Sequence, residues 1–377
     1  MLESNKIYMD YAAGVSANPS SIHSLGTAAK KKLENARREV ANILGARASE
    51  TIFTSGGTES NNLAIQGVLL ASYSKKLPHI IATNIEHSSV LETFKLLAKR
   101  KIARISIVGV ETDGIINPKK IKEQIRKDTV LVSVNYANNE IGTIQPLKEI
   151  AKEIRHYQKI NKRKNIFFHT DAAQAANFLD LNVKKLGVDL LTLSGSKIEG
   201  GGKTGALFKK EYVPLANIFG GGNQEGGLRP GTENLPEILK FSAALKSAQK
   251  IKEKELKRLT KLRDYFFFKL SKIPFDIKFN GDLKNRLPNN VNITVRNIPS
   301  DLLVIELSVR GIMASAKSAC NAGDGKASHV IKAINPKAKD TDGSLRFSLG
   351  RQTTKADIDY AVKALFEILT KLKKWYN

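Results

Sequence analysis

The chain has 377 residues, 41% of them hydrophobic, and a single cysteine; the length suits two packed domains, and one thiol excludes an internal disulfide framework and fits a reducing compartment. No uninterrupted apolar run is long enough to span a bilayer and no basic segment leads into an apolar one at the start, so a cytoplasmic protein is expected. The formal net charge of +25 is mostly lysine and could attract nucleic acid or acidic proteins, but no helix-turn-helix, zinc knuckle or aromatic-plus-basic strand accompanies it, so the lysines read as solvated faces and no specific nucleic-acid binding is expected.

In chain order, Lys30 to Leu44 reads as an amphipathic helix with Leu33, Ala36, Val40 and Leu44 on one stripe. Glu50 to Thr54 is a short strand that runs into Ser55-Gly-Gly-Thr58 and a second helix, Glu59 to Ser74. Ile80 to Thr83 and Val130 to Asn135 read as strands, Val90 to Leu97 and Leu147 to Gln158 as helices. Ile166 to His169 and Asp189 to Leu193 are further strands. Strands alternating with helices imply a mostly parallel sheet covered on both faces. A charged helix from about Leu235 to Leu270 bridges to a second unit. That unit has strands at Asn290 to Val295 and Ser344 to Leu349, and helices at Ser300 to Val309, Ala327 to Ile334 and Ala356 to Leu372.

Several strand ends carry chemistry-bearing residues. Ser55-Gly-Gly-Thr-Glu-Ser-Asn61 lies between a strand and a helix; its glycines suit a phosphate at a helix N-terminus, and its Ser, Thr and Glu equally suit an ordinary cap. His169-Thr-Asp171-Ala-Ala-Gln174 ends an apolar strand, where open α/β sheets bind ligands. Asp171 there could pair with a protonated pyridine nitrogen or cap a helix. Glu86-His87 follows another strand, where a histidine could stack on a ring, shuttle protons or cap a helix. Lys197 follows Asp189-Leu-Leu-Thr-Leu-Ser-Gly-Ser196; it could form a Schiff base or be a solvated strand end. Cys320 sits among Ser, Ala, Asn, Gly and Asp in Ser315 to Gly325. Such neighbours cannot wrap a thiol in apolar surface, and Lys317 would favour the thiolate.

The combination resembles the cysteine desulfurases of the class-V aminotransferase family, over nearly the whole chain. Matching stretches are Tyr8-Met-Asp-Tyr-Ala-Ala13, Asn18-Pro-Ser-Ser-Ile-His23, Phe53-Thr-Ser-Gly-Gly-Thr-Glu-Ser-Asn-Asn62, Asn138-Asn-Glu-Ile-Gly142, His169-Thr-Asp-Ala-Ala-Gln174, Arg229-Pro-Gly-Thr-Glu-Asn234, Ser318-Ala-Cys320 and Leu345-Arg-Phe-Ser-Leu-Gly350. The resemblance implies a pyridoxal-phosphate-dependent transferase fold of the aspartate-aminotransferase type (fold type I). Its large cofactor domain, with a mostly parallel seven-stranded sheet, would span residues 18–249. A smaller α+β domain would take 1–17 and 250–377. Lys197 would hold pyridoxal 5′-phosphate and move protons, Asp171 would pair with the pyridine nitrogen, Gln174 would bond the ring hydroxyl and His87 would stack on the ring. Gly57, Thr58, Ser194 and Ser196 would bind the phosphate, with Thr232 supplied by the second subunit of a homodimer. Asn139 and Arg346 would hold the substrate carboxylate, a task the planar guanidinium suits. Cys320 would take the sulfur of L-cysteine as a persulfide, leaving L-alanine, for an iron–sulfur scaffold protein or a tRNA-thiolation acceptor. No metal site is implied.

The ten residues Asn321 to Val330 resemble the long-loop desulfurases, whose cysteine swings from cofactor to acceptor. The chain departs from the family pattern at Ser196, where histidine is usual, at Lys317, where glycine is usual, and at Gly14-Val-Ser-Ala17, which replaces a helix-length stretch. Rival readings are a selenocysteine lyase, a class-V aminotransferase, which would not need Cys320, and a weakly active scaffold for sulfur-transfer partners.

Overall fold

The computed structural model describes residues 7–14, 17–72, 77–163, 165–316 and 328–374. Short apolar strands alternate with helices: α1 (Ser24–Leu44), β1 (Thr51–Thr54), α2 (Gly57–Ala71), β2 (His79–Thr83), α3 (Ser88–Lys99), β3 (Arg104–Val108), α4 (Pro118–Gln124), β4 (Thr129–Ser133), α5 (Leu147–Ile160), β5 (Phe167–Asp171), α6 (Val183–Leu186), β6 (Leu190–Ser194) and β7 (Gly205–Lys209). Every residue of β2, β4, β5 and β6 is buried, as befits strands covered on both faces. The helices bury one stripe each; α5, for example, buries Leu147, Ile150, Ala151 and Ile154 at helical spacing.

These strands form one sheet in the order β1-β7-β6-β5-β4-β2-β3. From β3 through β6 the pairing is parallel. Strand β7 is antiparallel to both β6 and β1, so β1 runs with the parallel set. Six strand ends therefore point to the same edge. One core, with α1, α5 and the first half of α7 (Leu235–Leu270), covers one face; a second, with α2 and α3, covers the other.

Helix α7 has 36 residues, about 54 Å of helix. Ile238, Phe241, Leu245 and Ala248 join the first core, and Leu259, Phe266 and Leu270 join another. That other core lies against a small antiparallel sheet in the order β10-β9-β8, formed by β8 (Ile277–Phe279), β9 (Asn290–Val295) and β10 (Gly343–Ser348). Helices α8 (Ser300–Val309) and α10 (Lys355–Lys373) contribute to it, and α9 (His329–Ile334) packs on the first core.

Several boundaries differ from the expectation. The helix read as Glu59 to Ser74 begins at Gly57 and ends at Ala71, and Ser74 lies outside the described residues. The strand read to Asn135 stops at Ser133, because Asn135 turns its amide to Ile85 O at 3.1 Å. Asp189 precedes β6 rather than opening it. Its carboxylate accepts from Arg155, Tyr212 Oη and Phe168 N. The helix read from Ala327 starts at His329, with Ser328 as its cap; Ala327 is outside the described residues. Strands β3, β7 and β8 and helices α4 and α6 were not expected. β3 is a partly exposed edge, and α4 and α6 are one or two turns long, too short for a periodic signal.

Before Ser24 the described residues contain no helix. Tyr8 Oη donates to Asp10 O and Gly14 O, and the Asp10 carboxylate accepts from Ser21 Oγ at 2.8 Å and lies 3.2 Å from His23 Nε2. Residues 11–13 form a turn, and Val15 and Ser16 of the shortened stretch lie outside the described residues. Ile7, Met9, Tyr11 and Ile22 are left exposed. No described helix is long and apolar enough to cross a membrane.

Strand β7 enters between β1 and β6 with Gly205 opposite both Thr54 and Ser194. A Cβ on Gly205 would lie 2.6 Å from the Gly56 carbonyl carbon and 2.7 Å from Gly56 Cα, so only glycine lets the loop after β1 pass. Gly205→Ala is expected to cost about 1–3 kcal/mol and lower the Tm in a thermal melt. Gly220→Ala, where a Cβ meets nothing within 4 Å, should melt like the wild type.

Candidate functional site

A cavity of about 400 Å³ opens at the edge where the co-directional strands end. Five of these strands deliver residues there. The turn after β1 brings Ser55 to Glu59, the turn after β2 brings His87, and the segment after β4 brings Asn135 to Asn139. The end of β5 brings Asp171 and Gln174, and the end of β6 brings Ser194 to Lys197. This is the position at which open α/β sheets bind ligands.

At one end, α2 presents its N-terminus. Its N-cap is Gly56, and no side chain caps it, so its leading amides face the cavity with the positive end of the helix dipole. Thr58, Ser194 and Ser196 add hydroxyls; Ser194 Oγ and Ser196 Oγ are 3.0 Å apart. A Cβ on Gly57 would meet Ser194 Cβ at 3.2 Å. Glu59 closes the turn by accepting from Ser55 N at 2.8 Å and Arg229 Nε at 2.9 Å. Burial raises the Glu59 carboxyl, but the Arg229 ion pair and the Ser55 bonds outweigh it and hold the group below its ordinary range. This donor set fits a phosphate.

In the middle, the Asp171 carboxylate accepts from Asn61 Nδ2 at 2.7 Å and Ala173 N at 3.0 Å. Asn61 Nδ2 also donates to Ser89 Oγ, 2.8 Å from His87 Nδ1. His87 caps α3 by accepting from Ser89 N at 3.1 Å, which leaves the neutral ring's proton on Nε2. The chain Asp171–Asn61–Ser89–His87 therefore fixes both the acid and the aromatic ring. His87 is the one aromatic side chain among the described cavity residues. Asn61 Oδ1 and Asn135 Oδ1 are buried without a partner among the described residues.

Under this layer sit His169 and Glu86. His169 lies between Ser133 Oγ (2.8 Å) and Thr192 Oγ1 (3.1 Å) and is wholly buried. Burial pushes it down to about 4 against the pull of Asp171, so it is a neutral tie across β4, β5 and β6. Glu86 Oε1 accepts from Thr83 Oγ1 at 2.5 Å and Asn135 N at 3.0 Å, and Oε2 has no partner among the described residues. Burial, with Asp171 adding to it, pushes Glu86 up to about 8.

Lys197 is exposed at the close of a tight turn. A Cβ on Gly195 would strike Gly201 O at 2.3 Å, so the turn requires glycine. Lys197 O accepts from Asn177 Nδ2 at 2.6 Å.

Of the residues singled out in the sequence, Gly57, Thr58, His87, Asn139, Asp171, Gln174, Ser194, Ser196 and Lys197 line this one cavity. Arg346, on β10, is not among its lining residues; it donates from Nη1 to Asn139 O at 3.1 Å. Burial lowers the Arg346 guanidinium while Glu140 opposes the shift. Thr232 lines a neighbouring cavity with Arg229, Glu233 and Asn234, sharing Ser55, Lys203 and Thr204 with the first. Cys320 and Lys317 lie outside the described residues. Sequence reasoning passed over Asn61, Ser89, Glu140 and Ser328. Asn61 carried a signal: it is a polar residue on the stripe of α2 that also buries Ala64, Ile65 and Val68.

Residues 3–361 match the model of the aminotransferase class-V family. The cysteine desulfurase IscS of Dictyoglomus turgidum is 39% identical over 385 residues, covering 98% of this chain and 95% of that protein. A solved structure of a NifS-like protein superposes with a TM-score of 0.86 at 32% identity, over 94% of this chain and 92% of that one. A structure of SspA in complex with cysteine has a TM-score of 0.74 at 31% identity, over 88% and 90%. The fold is the pyridoxal-phosphate-dependent transferase fold of type I. The chain belongs to the class-V aminotransferase family, in its cysteine desulfurase branch.

Glu86 has a raised carboxyl, so the folded state holds a proton that the unfolded chain has lost. Its contribution is complete below the ordinary carboxylate value of 4.5 and is lost as pH rises through about 8. Glu86→Gln, which mimics the protonated form, should therefore melt near the wild type at about pH 5 and a few degrees above it at about pH 8. Equal Tm differences at both pH values would contradict the assignment.

Proposed function

We propose that this protein binds pyridoxal phosphate at Lys197 and uses it to move the sulfur of L-cysteine onto Cys320, releasing L-alanine. The observation that carries the reading is the single cavity lined together by the uncapped N-terminus of α2, His87, Asp171 and an exposed Lys197. The donor set fits the group. Amides and three hydroxyls suit the phosphate, Asp171 has acceptor capacity left for a protonated ring nitrogen, and Gln174 can donate to a ring hydroxyl.

When bound, pyridoxal phosphate supplies an electron sink conjugated with the substrate's α-carbon. Lys197 anchors the cofactor and carries protons at the substrate. His87, with Nδ1 occupied by Ser89, presents its ring and its Nε2 proton to the cavity. Arg346 and Asn139 bind and orient the substrate carboxylate. The Cys320 thiolate attacks the sulfur of the substrate; the carbon–sulfur bond breaks, its electron pair stays with carbon, and that carbon takes a proton and leaves as alanine. Cysteine and one thiol become alanine and one persulfide, with no external oxidant. The complex of SspA with cysteine supports this substrate. The persulfide would pass to an iron–sulfur scaffold or a tRNA-thiolation acceptor.

The reading includes a homodimer, with Thr232 of each subunit reaching the other's phosphate. Thr232 lies outside the Lys197 cavity of its own chain, and the exposed Ile7, Met9, Tyr11 and Ile22 are apolar surface available for burial.

Purified protein should absorb visible light as a bound cofactor does, and Lys197→Ala should lose that absorbance. Cys320→Ser should keep it and still respond spectrally to cysteine, yet release alanine at least about a hundredfold more slowly, because a hydroxyl cannot accept sulfur. Undiminished alanine release by Cys320→Ser would transfer the case to a lyase or aminotransferase.

Sedimentation should give a dimer, and Thr232→Ala should weaken cofactor binding about tenfold while the dimer persists. A monomer that holds the cofactor at full affinity would contradict the composite site.

A further inference from the structure

The loop Gly220-Gly-Gly-Asn-Gln-Glu-Gly-Gly227 leads into the neighbouring cavity that shares Ser55, Lys203 and Thr204 with the Lys197 site. Glu225, Gly226 and Gly227 are all left-handed there, at φ of 49°, 66° and 78°. Glycine takes that conformation freely and other residues rarely do, so Glu225 is strained at a position where glycine would not be. Its carboxylate supplies a reason. The side chain is 1% exposed and takes a two-pronged ion pair from Arg37 on α1, Nη1 to Oε2 at 2.6 Å and Nη2 to Oε1 at 2.7 Å. Phe53 N, on β1, also donates to Oε2, at 2.9 Å. Arg37 gives Nη1 to Thr51 O as well, at 2.8 Å, and lies 5.0 Å from the centre of the Phe53 ring.

Just beyond Phe53, β1 ends at Thr54 and the turn Ser55 to Glu59 begins. The same loop grips that turn from its other end. Arg229 Nε donates to Glu59 Oε1 at 2.9 Å, and Glu59 Oε2 accepts from Ser55 N at 2.8 Å. Within the loop, Leu228 N bonds Glu225 O at 3.3 Å and Gly231 N bonds Gln224 Oε1 at 3.1 Å, which couples Glu225 to the Arg229 end. One short segment thus holds the turn on both sides. A buried ion pair adds little stability by itself, because desolvation offsets the attraction, but its planar fork fixes geometry closely. The geometry beside it is that of the α2 N-terminus, which no side chain caps.

We propose that Glu225 is a positioning residue for the phosphate end of the cavity: anchored by Arg37 and Phe53 N, it fixes the glycine-rich loop that brings Arg229 to Glu59, and so holds the Ser55 to Glu59 turn in the shape that receives a phosphate. The inference rests on the proposed binding of pyridoxal phosphate.

The test titrates the full chain, stripped of cofactor, with pyridoxal phosphate and with pyridoxal, which lacks the phosphate, and follows the visible absorbance. Glu225→Gly removes the carboxylate and relieves the backbone strain. It should bind pyridoxal phosphate about tenfold more weakly and pyridoxal within about twofold of wild type. Arg37→Gln leaves the loop's own sequence intact, should give the same pattern, and decides the matter if Glu225→Gly does not fold. Because Glu225 acts through Arg229, adding Glu225→Gly to Arg229→Gln should weaken pyridoxal phosphate binding by no more than about a further twofold. Unchanged pyridoxal phosphate affinity in the folded variants overturns the proposal. So does an equal loss for pyridoxal, the mark of a merely structural ion pair, and so does an additive loss in the double variant. If the wild-type chain binds neither compound, the cofactor reading fails instead, and titration of the same variants with inorganic phosphate decides the tether. A wild-type chain that does not bind inorganic phosphate either overturns the proposal too.

Discussion

The site depends on a carboxylate kept nearly out of water with only neutral donors beside it. Asp171 is 8% exposed, and its hydrogen bonds come from Asn61 and Ala173 N. A buried acid of this kind is costly unless a cation completes it. On the proposed function, the pyridine nitrogen of the cofactor, protonated, would be that cation, in the cavity that Asp171 lines. The same constraint explains the layer beneath. Burial, with Asp171 adding to it, pushes Glu86 toward its neutral form, and burial holds His169 neutral. Both groups are thereby kept neutral next to Asp171.

The sheet makes this arrangement possible. Because β7 runs against its neighbours, β1 can join the other strands in ending at one edge. The Ser55 to Glu59 turn then meets Asp171 and Lys197, which lie more than a hundred residues further along the chain. Gly205 and Gly195 are the small residues that let these backbones approach. The second sheet contributes from the side: β9 holds the Asn139 turn through Asn290 and Asn292, and β10 supplies Arg346.

Much of this was legible in the sequence. Long periodic helices declare themselves, and the helix read as Leu235 to Leu270 has those bounds. Strand-end residues such as Asp171, Lys197 and Thr58 stood out because polar residues directly following apolar runs need a reason. What stayed hidden was set by partners distant in the chain. Strand β3 is an edge with mixed exposure, and β7 is five residues between loops. Asn61 and Glu140 gain meaning only when Asp171 and Ser328 lie beside them, 110 and 188 residues away. Neither residue's own neighbourhood in sequence announces that pairing.

The central claim is that the Lys197 site and the Cys320 thiol act on one sulfur atom. The most direct test is the mass of the peptide carrying Cys320 after brief exposure of the protein to L-cysteine. The account predicts one added sulfur atom on that peptide in the wild-type protein, lost on reduction, and none in Lys197→Ala. An unmodified Cys320 peptide accompanied by stoichiometric alanine would contradict it.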